Sequence, residues 1–347
     1  MSSNRVVLHI GLEKTGTTTL QRFLAANQCA LKQADVLYPQ ATAPHAVLPL
    51  CVQEVRGDAL QRRNGISGRS DVRAFRQRVE QAMQREFSEA GCSTMVLSSE
   101  LCSSRLRTDE ELCELRDILS EYAAAPTIVV YIRRQDEYLV SLHSTAVQSG
   151  SVAPLDFPAT AREIGRYDYW EILSRWARVF GRENIICRRF ERHRLIGQDI
   201  VTDFLTTVGL ASLISLPRPA DKNESVDANC VEFLRQFNNH IAALHDPERS
   251  RRELLGALSR YSSGPWLTLP EPQLAAFMAR FELSNRKVAA EYFPKESGNL
   301  FDHSKDTRPK TVSAEITAAR AIEIAAQIWK RDQETITRLL RRLGGHS

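Results

Sequence analysis

The feature that most constrains this chain is an alternation of two patterns. Short β-branched runs that stop abruptly are each followed by stretches with apolar residues at helical spacing. Arg5–Ile10 (RVVLHI) stops at Gly11, and Thr17–Asn27 follows with Leu20, Phe23 and Leu24 on one face. Asp35–Tyr38 is a short run closed by Pro39. From Asp71 to Ala90, Val72, Phe75, Val79, Met83 and Phe87 trace one helix face. Thr94–Ser98 (TMVLS) precedes a helical stretch over Asp109–Tyr122, with Asp109 placed to cap it. Thr127–Arg133 (TIVVYIR) is the strongest strand signal, and a helix over Gln135–Gln148 follows. Tyr167–Phe180 reads as helix, Asn184–Phe190 (NIICRRF) as strand and Gln198–Val208 as helix. Strands separated by helices must return in the same direction. The pattern therefore predicts an α/β fold: a parallel sheet flanked by helices in three layers.

After Pro217–Pro219 the character changes. Val226–Leu244, Pro272–Tyr292 and Ser313–Leu343 are helical patterns joined by Pro/Gly/Ser loops. At 347 residues the chain can hold one large domain or two small ones. The expectation is an α/β core over 1–215 and a largely helical C-terminal extension over 216–347, packed on it as one compact domain. Gln40–Ser70, rich in Gly, Pro, Asn and Arg, reads mostly as a long loop of the functional kind.

Composition narrows the function classes. The net charge of +4 is too small to argue for a nucleic-acid partner. No apolar run approaches the roughly 20 residues that span a bilayer, and MSSNRVVLHIG has neither the apolar stretch nor the cleavage site of a signal peptide. Seven scattered cysteines without a C-x-x-C pair argue against a zinc site and a disulfide framework. A cytoplasmic location is the expectation. Only eight of the 46 basic residues are lysine, a bias too broad to assign to one site.

The segment Gly11-Leu-Glu-Lys14-Thr15-Gly16-Thr17-Thr18-Thr19 lies between the first strand and the first helix. Glycines there let backbone N–H groups turn inward, and the helix N-terminus adds partial positive charge, which together cradle an anion. The spacing nearly matches G-x-x-x-x-G-K-[ST], a P-loop-like arrangement, but Thr17 follows Gly16 and the lysine has moved back to Lys14. Such a loop suits a diphosphate-like group and lacks the usual lysine placement for a triphosphate with Mg²⁺. The plain alternative is a Gly/Thr turn that only caps a helix.

HIGLEKTGTTTLQRFL resembles the 5′-phosphosulfate loop of sulfotransferases that use 3′-phosphoadenosine 5′-phosphosulfate (PAPS). That loop commonly reads P-K-[ST]-G-T-[ST]; Glu13 stands for the proline, and Lys14, Thr15, Gly16, Thr17 and Thr18 fit. Thr127–Ser141 is similar to the family's 3′-phosphate motif, in which an arginine ends a strand (Arg133) and a serine follows eight residues on (Ser141). An arginine leaving a strand's carboxyl end points into the crevice where α/β sheets bind ligands, and its fork pairs a phosphate. Tyr169–Trp176 with Phe180, Asn184–Glu191 and Phe204–Gly209 resemble a W-x-x-x-F-G…N-I…R-F-E…F-L stretch of bacterial members, where the aromatics read as core. These likenesses span residues 6–209. Beyond them, NESVD and ELSNRKVAAEYF are loosely similar to bacterial polysaccharide-modifying members.

The resemblance implies a sulfotransferase that moves a sulfuryl group from PAPS to an acceptor hydroxyl. The implied acceptor is a glycan or glycolipid, with Lys14 acting in transfer and no metal required. Some carbohydrate-directed members use glutamate as base, and the corresponding stretch here, TMVLSSE, supplies Glu100. Glu100 could instead cap the following turn or pair with Arg105 or Arg107. His45 in the long loop is a candidate to touch the acceptor, and His143 is a further candidate base. Lys305, Arg308 and Lys310 could form a late basic loop. His9, inside a strand, reads as a core histidine. The rival readings are a P-loop kinase and a non-catalytic nucleotide- or polyanion-binding protein.

Overall fold

The computed structural model describes residues 4–42, 47–219, 226–241, 246–262, 264–296, 298–302, 309–312 and 316–344. The chain forms two compact units: Met1–Arg134 with Pro158–Asp221 and Arg280–Phe301, and Gln135–Phe157 with Lys222–Ala279 and Asp302–Ser347.

The first unit is built on five parallel strands: β1 (Arg5–His9), β2 (Val36–Leu37), β3 (Thr94–Ser98), β4 (Thr127–Ile132) and β5 (Ile185–Arg189). Their order is β2-β3-β1-β4-β5, with His9 opposite Ser98 on one side and Val129 on the other. β1, β3 and β4 bury both faces and β5 buries one and half-buries the other, so alternate residues enter different cores. Val6, Leu8, Met95, Leu97, Ile128, Val130 and Cys187 meet Phe75, Met83, Leu115, Trp176 and Val288 on one face. Val7, Val96, Val129 and Tyr131 meet Leu20, Phe23, Leu24, Phe204 and Leu205 on the other. This is the expected three-layer α/β arrangement.

Two expectations are corrected within the first unit and at its boundary. Gln40–Ser70 is not mostly loop: helices Val47–Val52 and Ala59–Arg63 occupy it. The segment is held by distant partners, because the buried Glu111 carboxylate accepts from Arg56 Nη2 at 2.8 Å and Glu54 N at 3.1 Å. Arg105 Nε likewise donates to Gln53 at 2.7 Å. The helical pattern over Pro272–Tyr292 is two helices, Glu271–Ala279 and Glu282–Tyr292. The second packs in the first unit, where Arg182 lies 3.7 Å over the Tyr292 ring and Arg189 pairs with Glu296.

The second unit contains helices Gln135–Gln148, Ala228–Ile241, Pro247–Tyr261, Glu271–Ala279 and Ala318–Gly344. Val147, Cys230, Leu234, Ile241, Leu258 and Ile324 form its core. β6 (Trp266–Leu267) and β7 (Lys310–Thr311) pair in parallel. Among the described residues no helix is long and apolar enough to cross a membrane.

Candidate active site

The carboxyl ends of β3, β1 and β4 lie side by side, and each delivers one element of the site. The connection leaving β1 runs to the Val7 face, where Leu20 and Phe23 are buried, and that leaving β3 runs to the Leu97 face, where Cys102 and Leu112 are buried. Oppositely directed connections part above neighbouring strands, which is where open α/β sheets bind ligands.

Beyond β1 the chain turns through three left-handed residues: Gly11 at φ +58°, Lys14 at φ +68° and Gly16 at φ +80°. Lys14 is a non-glycine residue in a region that costs an L-residue roughly 1–3 kcal/mol, and such strain collects at functional sites. Gly11 is required by space as well as by φ, because a Cβ there would lie 2.9 Å from the Glu100 Cβ. Gly16 fits against Phe190 and Ile200, 3.1 and 3.2 Å from where its Cβ would stand. The buried Thr15 hydroxyl donates to the Leu12 carbonyl at 2.7 Å and closes the loop on itself. Helix Thr17–Ala26 then starts with no side-chain cap and no acidic residue in its first turn. Its leading amides have no intrahelical acceptor, and with the helix dipole they favour an anion. Thr18, in that turn, is exposed.

Arg133 follows β4 and donates from Nη1 to the Lys14 carbonyl at 3.2 Å, tying the loop to the neighbouring strand end. The Tyr169 hydroxyl donates to the Arg133 carbonyl, so a residue grouped with the core aromatics also anchors this turn. Trp176 and Phe180 stack at 5.2 Å as core. Burial, and then the Arg133 charge, draw the Lys14 ammonium below its ordinary pKa, with Glu13 and Glu100 pulling the other way.

Glu100 opens helix Glu100–Arg105 directly after β3. It pairs with neither Arg105 nor Arg107: Arg105 pairs with Asp58 at 2.5 Å, and Arg107 Nε donates to the Ser104 carbonyl. The Glu100 carboxylate accepts from Gln21 Nε2 at 2.9 Å. Tyr38, at the end of β2, is buried and feels the Glu100 charge; its phenol is pushed up to about 12, chiefly by burial.

Lys14, Thr15, Gly16, Thr17, Thr18, Glu100 and Arg133 thus gather at three adjacent strand ends. Ser141 lies half-buried in helix Gln135–Gln148 of the second unit, its carbonyl accepting from Thr145 Oγ1 at 3.0 Å. His143 is in the same helix, its pKa lowered by burial and by Arg235. His45, Lys305 and Arg308 lie outside the described residues, and Lys310 begins β7. His9 is buried as expected, 2.9 Å from Ser98 Oγ. Gln21 and Tyr38 carry no signal in the sequence: the first helix packing on β3 brings the one to Glu100, and the pairing of β2 with β3 the other.

No family model matches the chain. It is 27% identical over 169 residues to an uncharacterized protein of Archaeoglobus fulgidus, a match covering 48% of this chain and 45% of that protein. The chain thus spans less than half the length of this curated relative. Among solved structures, the crystal structure of a sulfotransferase from Alicyclobacillus acidocaldarius is similar over 74% of this chain and 96% of its own. The identity is 16% and the TM-score 0.39.

Proposed function

We propose that this chain is a PAPS-dependent sulfotransferase, transferring a sulfuryl group to a hydroxyl of a glycan or glycolipid in the cytoplasm. The observation that carries the reading is the loop itself. A strained Lys14 stands between two left-handed glycines ahead of an uncapped helix start, and Arg133 is tied to it from the next strand end.

In this reading the leading amides and Lys14 bind the 5′-phosphosulfate, and Arg133 takes the 3′-phosphate. Thr15 supports the loop from within. Glu100 accepts the acceptor's hydroxyl proton as that oxygen bonds to sulfur. The bond from sulfur to the bridging phosphate oxygen breaks, and its electron pair leaves with 3′-phosphoadenosine 5′-phosphate. The Lys14 ammonium offsets the charge that develops on the leaving oxygen, a role for which preorganised donors are effective. No metal is needed for this, whereas a kinase would require Mg²⁺ and a lysine directly after Gly16.

Calorimetry tests the donor assignment. The chain should bind 3′-phosphoadenosine 5′-phosphate far more tightly than 5′-AMP or ATP. One charge-assisted contact is worth about 1.5–3 kcal/mol, so Arg133→Ala should weaken that binding roughly 10- to 150-fold. Equal affinity for 5′-AMP would remove Arg133 from the 3′-phosphate. The acceptor test is transfer of labelled sulfate from PAPS to a panel of glycans and glycolipids.

A further inference from the structure

Gln21 is a buried amide in the first helix that the proposed chemistry leaves unused. It follows Leu20 and precedes Phe23 and Leu24, yet it is only 3% exposed. A buried primary amide is costly unless hydrogen-bonded. Its Nε2 lies 3.2 Å from Ser98 Oγ, 3.4 Å from the Ser98 carbonyl and 2.9 Å from Glu100 Oε2. Ser98 Oγ in turn lies 2.9 Å from His9 Nδ1. Burial holds His9 neutral, its pKa lowered to about 3. A continuous chain, His9–Ser98–Gln21–Glu100, therefore runs from inside the sheet to the end of β3. Gly11 lies close against Glu100, where a Cβ on Gly11 would stand 3.0 Å from the Glu100 Cα.

We infer that Gln21 is a positioning residue that fixes the Glu100 carboxylate toward the site, with Ser98 and His9 setting the orientation of its amide. Gln21 is the hydrogen-bond donor to the Glu100 side chain among the described residues. Such a donor restricts the carboxylate to one rotamer, and loosely held catalytic groups lose rate because few encounters have the reactive geometry. The first helix thus serves both halves of the site. Its start faces the anion loop, and its first turn onward holds the carboxylate. The catalytic side of this inference rests on the proposed role of Glu100; the hydrogen-bonded coupling between the two residues does not.

A double-mutant cycle separates them. Gln21→Met conserves volume and removes the donor. In the parent background it should lower kcat about 10- to 100-fold while leaving KM for PAPS within about 2-fold. In the Glu100→Gln background the same substitution should change kcat less than about 2-fold, because a residue acting through another loses its effect when that other is gone. Gln21→Glu, which keeps the shape and loses the amide donor, should not rescue turnover. An equal loss in both backgrounds would show that Gln21 acts on packing alone and would overturn the inference. A second cycle, Gln21→Met with Glu100→Leu, removes donor and acceptor in turn and is unfolded in urea. Non-additive midpoints support the coupling whether or not sulfation is detected, and additive midpoints overturn it. Should Glu100→Gln retain full turnover, the role of Glu100 fails, and the urea cycle alone then judges the coupling.

Discussion

His9 offers a prediction that depends on the fold and on no assumption about substrate. Its imidazole is fully buried beside Ser98, edge-on to Tyr131 and Phe204, at 5.7 and 5.8 Å between ring centroids. Burial lowers its pKa from 6.5 to about 3. The folded value lies below the unfolded one, so the stabilising effect is complete above about pH 6.5 and is lost as pH falls toward 3. At about pH 7.5 neither state holds the proton. At about pH 5.5 roughly ten elevenths of the unfolded chains hold it and the folded chain does not, a loss on the order of 1 kcal/mol. Each further pH unit removes about the same again. His9→Asn keeps a polar partner for Ser98 and cannot titrate, so its absolute stability falls while its slope in this window flattens. His143, also shifted down by burial, contributes with the same sign in both proteins, so the comparison is of slopes. Urea unfolding at several pH values, with a constant m-value as the check on two-state behaviour, measures it. The same slope in parent and variant would refute a buried neutral His9.

Gly11→Ala introduces a Cβ 2.9 Å from that of Glu100 at φ +58°, so it should cost about 1–3 kcal/mol in thermal unfolding. It should also abolish nucleotide binding by calorimetry. The fully buried Asp203 accepts from Tyr131 Oη at 2.7 Å, Ile196 N at 2.8 Å and Arg188 Nε at 3.0 Å. Asp203→Ala should destabilise by about 3 kcal/mol, the low end for a broken buried pair because Arg188 keeps some contact with water. Glu100→Gln should lower turnover roughly 10²–10⁴-fold with nucleotide affinity near that of the parent, measured by labelled-sulfate transfer and calorimetry. Turnover should be unchanged by EDTA; loss on chelation with recovery on Mg²⁺ would favour a kinase.

By itself the sequence determined the sheet and the glycine turn that follows β1. β1, β3, β4 and β5 are runs of residues such as Val and Ile bounded by turn or charged residues, and a strand buried on both faces needs little else to be recognised. The loop was legible because φ values near +58° and +80° select glycine locally, at Gly11 and Gly16. The positive φ of Lys14 was not, since nothing in a lysine announces it. Tertiary structure alone decided the rest. Helices Val47–Val52 and Ala59–Arg63 are too short to hold themselves, and they exist because Glu111 and Arg105, some fifty residues away, satisfy the Gln53–Asp58 segment between them. Helix Glu282–Tyr292 is held by Arg182, and the chain just after it by Arg189 of β5, each more than a hundred residues before its partner. Gln21 carries no signal of its own in the sequence. Its burial and its bond to Glu100 are set by a strand 77 residues on. Hydrogen-bond partners that remote leave no periodicity or spacing in the sequence, so only the packed sheet could reveal them.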